Sequence, residues 1–192
     1  MIKDEKHNVI LTAARKLFGR YGLRKTTVDE IAREARVGKG TIYNYYTSKE
    51  EVFQAVVEEE AQIFKNEIKK AVDSQATPEK KIRAYVITRM QIINQLANFY
   101  SSFKDEYLEY YGFIEKIRKK YTNYEISTIK DILKEGINKK VFSIKDLDLT
   151  TFAVVIAMKG LEYYWAIEQG PLETEKKIDT LLKIFFNGIL RR

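Results

Sequence analysis

The sequence predicts an all-α protein, with an N-terminal three-helix head joined by one long helix to a larger helical body. Three observations carry that expectation. Apolar residues recur at helical spacing along the chain, nothing reads as a strand, and two prolines and nine glycines in 192 residues leave room for long helices. That length is enough to bury a sizeable core.

Each element follows from a local pattern. Ile10, Ala14, Leu17, Phe18 and Tyr21 form one stripe of a helix from about Asp4 to Tyr21, with Asp4 and Glu5 at its positive end and Gly22 suited to stop it. Thr27-Val-Asp-Glu30 has capping-box spacing and opens a short helix through Ile31, Ala32 and Ala35. Val37-Gly38 reads as a turn, followed by a third short helix to about Tyr45. Ser48-Lys-Glu-Glu51 is another capping box and starts a long helix to about Val72, roughly 36 Å at 1.5 Å per residue. Asp73 to Pro78 is a break, with Thr77 as cap and Pro78 at the first helical position. Ile82, Tyr85, Val86, Arg89, Ile92, Ile93 and Leu96 pattern the next helix. Phe99 to Tyr111 reads as a short aromatic helix or a pair of turns, and Phe113 to Ile137 as a long helix. Phe142-Ser-Ile-Lys-Asp-Leu-Asp148 is a loop, and helices near 147–168 and 173–190 complete the chain. These elements divide the chain into a head, 1–47, and a body, 48–192.

Composition removes several function classes. There is no cysteine, which excludes disulfides and thiolate metal sites and fits a reducing cytoplasm. His7 reads as an exposed surface residue at the start of the first helix, with no partner motif. No His or Cys cluster suits a transition metal, no nucleophile elbow is visible, and no cofactor is expected, so the chain reads as a binding protein and not an enzyme. The charged N-terminus lacks a signal-peptide core, and the seven-residue apolar run Phe152–Met158 falls far short of a membrane span, which predicts a cytoplasmic protein with no membrane partner. Glu58-Glu-Glu60 and Arg118-Lys-Lys120 read as solvated faces. The charge is uneven: residues 1–50 hold 11 Lys/Arg against 6 Asp/Glu, so most of the net +7 sits in the first quarter, as an electrostatic footprint for nucleic acid would.

The head has the order of a helix-turn-helix following one supporting helix. Such a unit projects its second helix into a major groove, and close approach favours small residues at the leading edge, which Gly38 and Gly40 supply. Lys39 can reach a base edge or a phosphate, and Thr41 a base edge or a thymine methyl. Ile42 points back to hold the helix, and Tyr46 packs inward. Tyr43, Asn44 and Tyr45 present hydroxyl and amide groups to the groove walls. Lys49 and Thr27, at helix N-termini, suit phosphates. A phosphate-loop reading of Gly-Lys-Gly-Thr fails, because Arg33 and Gly40 stand where it needs glycine and Ser/Thr.

Residues 8–53 resemble the DNA-binding head of the TetR family of bacterial transcriptional repressors. The resemblance rests on Ile10, Ala13, Ala14, Leu17, Phe18, Gly22, Thr26, Thr27, Ile31, Ala32, Ala35, Val37, Lys39, Gly40, Thr41, Ile42, Tyr43, Tyr45, Tyr46, Ser48, Lys49, Glu50 and Phe53. Gly38 departs from it, standing where the family often has serine, and Asn44 occupies a variable position. The resemblance implies a helical ligand-binding and dimerisation body, a homodimer, and a pseudo-palindromic double-stranded DNA operator. The body matches in plan, with Glu135-Gly136 followed by Phe142, Gly160, and an amphipathic last helix.

Aromatic excess in the body suggests an apolar chamber with a few polar tips, and the resemblance implies a small hydrophobic or amphipathic effector there. Met90, Phe103, Tyr107, Tyr111, Met158, Glu162 and Trp165 are its candidate lining. Arg89 and Lys104 suit an anionic head, and Glu162 or Asp105 a cationic one. The last two helices are apolar on more than one face, which predicts two-fold pairing through Phe152, Ile156, Ile178, Leu182, Phe185 and Ile189. The expected function is a ligand-responsive transcriptional regulator, a repressor released from its operator by that effector. The alternative is a helical small-molecule-binding or protein-interaction module without specific DNA binding.

Overall fold

The computed structural model describes the backbone of residues 2–92, 96, 98, 112–168 and 171–189, and the side chains of 5–92, 96, 98, 112, 116, 119–160 and 175–188. Among them the helices are α1 (Ile2–Lys25), α2 (Val28–Glu34), α3 (Lys39–Tyr43), α4 (Lys49–Asp73), α5 (Pro78–Ile92), α6 (Gly112–Asn138), α7 (Leu147–Glu168) and α8 (Pro171–Ile189). The all-α expectation holds, and no described helix is long and apolar enough to cross a membrane. The chain packs as two units, one of Met1–Ile63 with Leu96–Ile117 and one of Phe64–Gln95 with Arg118–Arg192.

In the first unit α1 does not stop at Tyr21 but turns at Gly22, whose φ of 78° and ψ of 165° break the helix before a last turn to Lys25. The buried Thr26 hydroxyl donates to the Gly22 carbonyl at 2.9 Å, satisfying an acceptor that the kink frees. Ile10, Leu11, Ala14 and Phe18 of α1 are buried, as are Ile31 and Ala32 of α2, Ile42 of α3, and Val52, Phe53, Val56 and Val57 of α4. Phe18 meets Phe53 edge-on, with ring centroids 5.2 Å apart, in an aromatic geometry that adds to burial alone. The second capping box forms with a shift: the Glu51 amide donates to Ser48 Oγ, while the Glu51 carboxylate accepts from the Thr47 amide one residue earlier than expected.

The acidic run of α4 is not a uniformly solvated face. Glu58 and Glu59 are exposed, but Glu60 is fully buried. Helical spacing explains it: Glu60 falls between Val56 and Phe64 on the apolar stripe. Buried charge needs partners. Asn98 Nδ2 donates to Glu60 Oε1 at 2.8 Å and to the Arg15 carbonyl at 3.0 Å, and the Arg15 guanidinium reaches Glu59 at 2.6 Å.

In the second unit α5 packs against α7 and α8. Arg83 on α5 grips Asp179 on α8 with two parallel hydrogen bonds of 2.6 and 3.1 Å. Tyr85, Arg89 and Glu125 are buried together. Arg89 pairs with Glu125, Tyr85 Oη donates to the same carboxylate at 3.2 Å, and Lys159 of α7 reaches it at 3.1 Å. At the end of α6, Lys140 takes a left-handed φ of 57° and the Val141 and Phe142 amides donate to the Gly136 carbonyl. This is a Schellman-type turn. It lays the buried Phe142 ring across Gly136, where it stacks with Phe186 at 6.1 Å.

Candidate nucleic-acid interface

The turn between α2 and α3 is closed by the chain itself. The Val37 amide donates to the Ala32 carbonyl and the Arg36 amide to Arg33, with Arg36 in the left-handed region at φ 54°. That conformation costs a side chain with a Cβ about 1–2 kcal/mol, which the amide hydrogen bonds on either side of it help to offset. The capping box at Thr27 is complete: the Glu30 amide donates to Thr27 Oγ1, and both the Thr27 amide and hydroxyl donate to the Glu30 carboxylate. Those bonds from Thr27 hold the Glu30 carboxyl below its ordinary range. The Thr27 hydroxyl is therefore already engaged where the sequence suggested a phosphate contact.

Helix α3 divides cleanly into an anchored face and an offered one. Ile42 and Tyr46 are buried, Thr41 and Tyr45 are half-buried, and Gly38, Lys39, Gly40, Tyr43 and Asn44 are exposed. Residues four apart share a helix face, so Lys39 lines up with Tyr43 and Gly40 with Asn44. Lys39 Nζ lies 2.9 Å from Asp29 of α2, which raises the lysine pKa above its ordinary value and keeps the ammonium charged. Nothing in the fold calls for glycine at 38 or 40. Gly38 has φ −71° and ψ 146°, open to any residue, and a Cβ there would meet only Thr41 Oγ1 at 3.8 Å. A Cβ on Gly40 would meet nothing within 4 Å.

Lys49 opens α4, in the helical first turn where the sequence reading placed it. Its ammonium donates to the Leu23 carbonyl at 2.8 Å, tying the first turn of α4 to the end of α1. His7 departs from the surface residue expected of it: it is half-buried and hydrogen-bonded to Tyr46. Sequence reasoning missed His7, Asp29 and Glu125. Only Glu125 left a trace, as a carboxylate on the apolar stripe of α6 between Tyr121 and Ile129.

Of the body candidates, Arg89 and Met90 are buried in the second unit, with the Arg89 charge engaged by Glu125. Met158 is buried and lines an apolar cleft of about 220 Å³ with Ile82, Val86, Val154, Ile178, Leu182 and Phe185 among its walls. Phe103, Tyr107, Tyr111, Lys104 and Asp105 lie outside the described residues, as do the side chains of Glu162, Trp165 and Ile189. Phe152 and Ile156 are exposed, and so are Leu149 and Ile184. Ile178 is a correction: at 1% exposure it is covered by its own chain, because it sits where α8 meets α5.

Residues 10–56 match the sequence pattern described as bacterial regulatory proteins, tetR family. The chain is 27% identical over 185 residues to the HTH-type transcriptional regulator YhgD of Bacillus subtilis (strain 168), covering 94% of each. It is 26% identical to the HTH-type transcriptional regulator QacR of Staphylococcus aureus, covering 94% of this chain and 96% of that one. In structure it resembles a transcriptional regulator from Cytophaga hutchinsonii, with a TM-score of 0.79, 24% identity, and 97% and 99% of the two chains covered. These relatives are regulators and not enzymes. With a supporting helix, a closed turn and an exposed α3 all in the matched segment, residues 10–56 carry a tetR-type DNA-binding head, and the reading as a DNA-binding transcriptional regulator is favoured over a helical binding module without DNA recognition.

Proposed function

We propose that the protein is a homodimeric repressor that seats the exposed face of α3 in the major groove of a pseudo-palindromic operator and leaves it when a small, largely hydrophobic effector binds the body. The observation that carries this reading is the pair of glycines at 38 and 40. Gly40 lies inside α3, where glycine costs about 1 kcal/mol against alanine, and neither it nor the N-cap Gly38 meets a steric or backbone need inside the protein, which favours a reason in what approaches from outside. In this reading residues 1–47 bind DNA, with Lys39, Gly40 and Thr41 against base edges and Tyr43, Asn44 and Tyr45 toward the backbone. Residues 48–192 supply the effector site and the dimer face.

Selection of bound duplexes from random DNA tests the groove assignment. Tyr43→Ala is expected to weaken binding to all selected sequences by about 10- to 100-fold, the worth of one hydrogen bond to a charged phosphate. Lys39→Ala is expected to relax preference at one base position, where a good contact is worth about 1–3 kcal/mol. Lys49→Ala is a poor probe, since it also removes the bond to Leu23. If Tyr43→Ala and Lys39→Ala both bind like the parent, the assignment is wrong.

The dimer face of this reading is the exposed apolar surface of α7 and α8. Leu149 (64%), Phe152 (53%), Ile156 (46%) and Ile184 (67%) are too open to belong to a monomer core. The cleft at Leu182 and Phe185 runs on to the exposed Leu181 and Ile184 and belongs to the same apolar surface. Ile184→Glu is therefore expected to leave the helix content unchanged and to give monomers in sedimentation; a dimer at parental strength would remove this face. The effector enters by differential affinity for two arrangements, typically a coupling of about 1–3 kcal/mol. A metabolite screen for release of the selected duplex tests it, and a tightly bound compound that leaves DNA affinity equal would remove the switch.

A further inference from the structure

We propose that His7 is a positioning residue for DNA binding: its ring braces Tyr45 and Tyr46 and so fixes the far end of the DNA-reading helix. The inference rests on the reading of α3, and of Tyr45 in particular, as a DNA-contacting element. Helix α3 has five residues and ends at Tyr43, with Asn44 as its C-cap. Beyond that point the backbone is held locally by amide bonds from Tyr45 and Tyr46 to the Ile42 carbonyl. The second wall comes from the start of α1. His7 stacks on Tyr46 with centroids 5.8 Å apart and planes 26° from parallel, and meets Tyr45 in a tilted contact at 5.6 Å. His7 Nε2 lies 2.8 Å from Tyr46 Oη.

The chemistry keeps the phenol neutral. Burial first, and the nearby Glu59 charge second, push the Tyr46 phenol up to about 12. Tyr46 therefore keeps its proton, and in this proposal it is the donor to Nε2, with the imidazole proton on Nδ1. The acceptor then holds Tyr46 in place, and the ring face limits the arc through which Tyr45 can swing. A half-buried phenol with fewer accessible positions loses less entropy when it meets a phosphate.

The test uses the full-length protein and a duplex that it selects from random DNA. His7→Ala is expected to raise Kd about 3- to 10-fold, the range of one hydrogen bond. His7→Gln, whose amide oxygen can accept from Tyr46, is expected to recover part of that loss. His7→Phe keeps a ring in the gap without an acceptor and guards against a folding defect. The decisive measurement is the cycle with Tyr45→Ala: on that background His7→Ala is expected to cost nothing further. Nitrogen-15 spectra of the one histidine are expected to show the proton on Nδ1. Multiplying losses in the cycle, or a proton found on Nε2, would overturn the proposal. So would a His7→Ala variant that melts earlier yet binds like the parent. If instead Tyr45→Ala itself binds like the parent, the assignment of Tyr45 to DNA is what has failed, and the role of His7 falls with it.

Discussion

Gly136→Ala is expected to destabilise the protein by at least about 3 kcal/mol, the upper end of the range for overpacking a core. The reason is geometric. A Cβ at 136 would come within 2.8 Å of Phe142 Cγ and closer still to Cδ2 and Cε2. The clash is with the root and flank of the ring and not with a flexible tip. The ring cannot retreat, because Phe142 is buried, its amide is bonded back to the Gly136 carbonyl, and it stacks on Phe186. Denaturant unfolding of the variant checks the size of the effect. The double variant Gly136→Ala/Phe142→Leu is expected to lose less than the two single changes together, since the smaller side chain makes room for the added methyl. Additive losses would show that the two residues do not press on one another.

Glu125→Ala is expected to be about as severe, near 3–5 kcal/mol, through the opposite physics. Here nothing clashes; a charge balance is removed. The carboxylate accepts from Tyr85 and is shared by Arg89 and Lys159, and both it and Arg89 are 3% exposed. Without it, two cations are left facing the gap it filled, one of them in a low-dielectric interior. Glu125→Gln keeps an acceptor for Tyr85 and loses only the charge, so it is expected to fall between the parent and alanine. Arg89→Met/Glu125→Leu removes both buried charges, and is expected to be more stable than Glu125→Ala despite carrying more changes. The ranking in urea unfolding is the check, and a double variant weaker than Glu125→Ala would refute it.

The parts of this protein that were legible in the sequence share one property: their causes are local. Caps at Thr27 and Thr77, the break at Gly22, the exposed tip of α3 and the inward Tyr46 all follow from residues within a turn or two of one another. The matched segment also placed the function, because a helix-turn-helix is defined by short spacings. What escaped was set by partners far along the chain. Glu60 takes its burial from the stripe around it but its partner from Asn98, 38 residues on. Lys49 reaches back 26 residues to Leu23, and His7 forward 39 to Tyr46. No periodicity carries such pairings. Ile178 was misjudged for a related reason: a helix apolar on two faces announces that both are covered without saying which one its own chain covers.

The division of labour within α3 bears on how such a protein changes over generations. Ile42 and Tyr46 keep the segment folded, while Lys39, Gly40, Tyr43 and Asn44 face outward and carry none of the core. The two sets do not overlap. Under the proposed reading of α3, mutation can rewrite the outward set and retarget the protein to a different promoter while its thermodynamic margin stays intact.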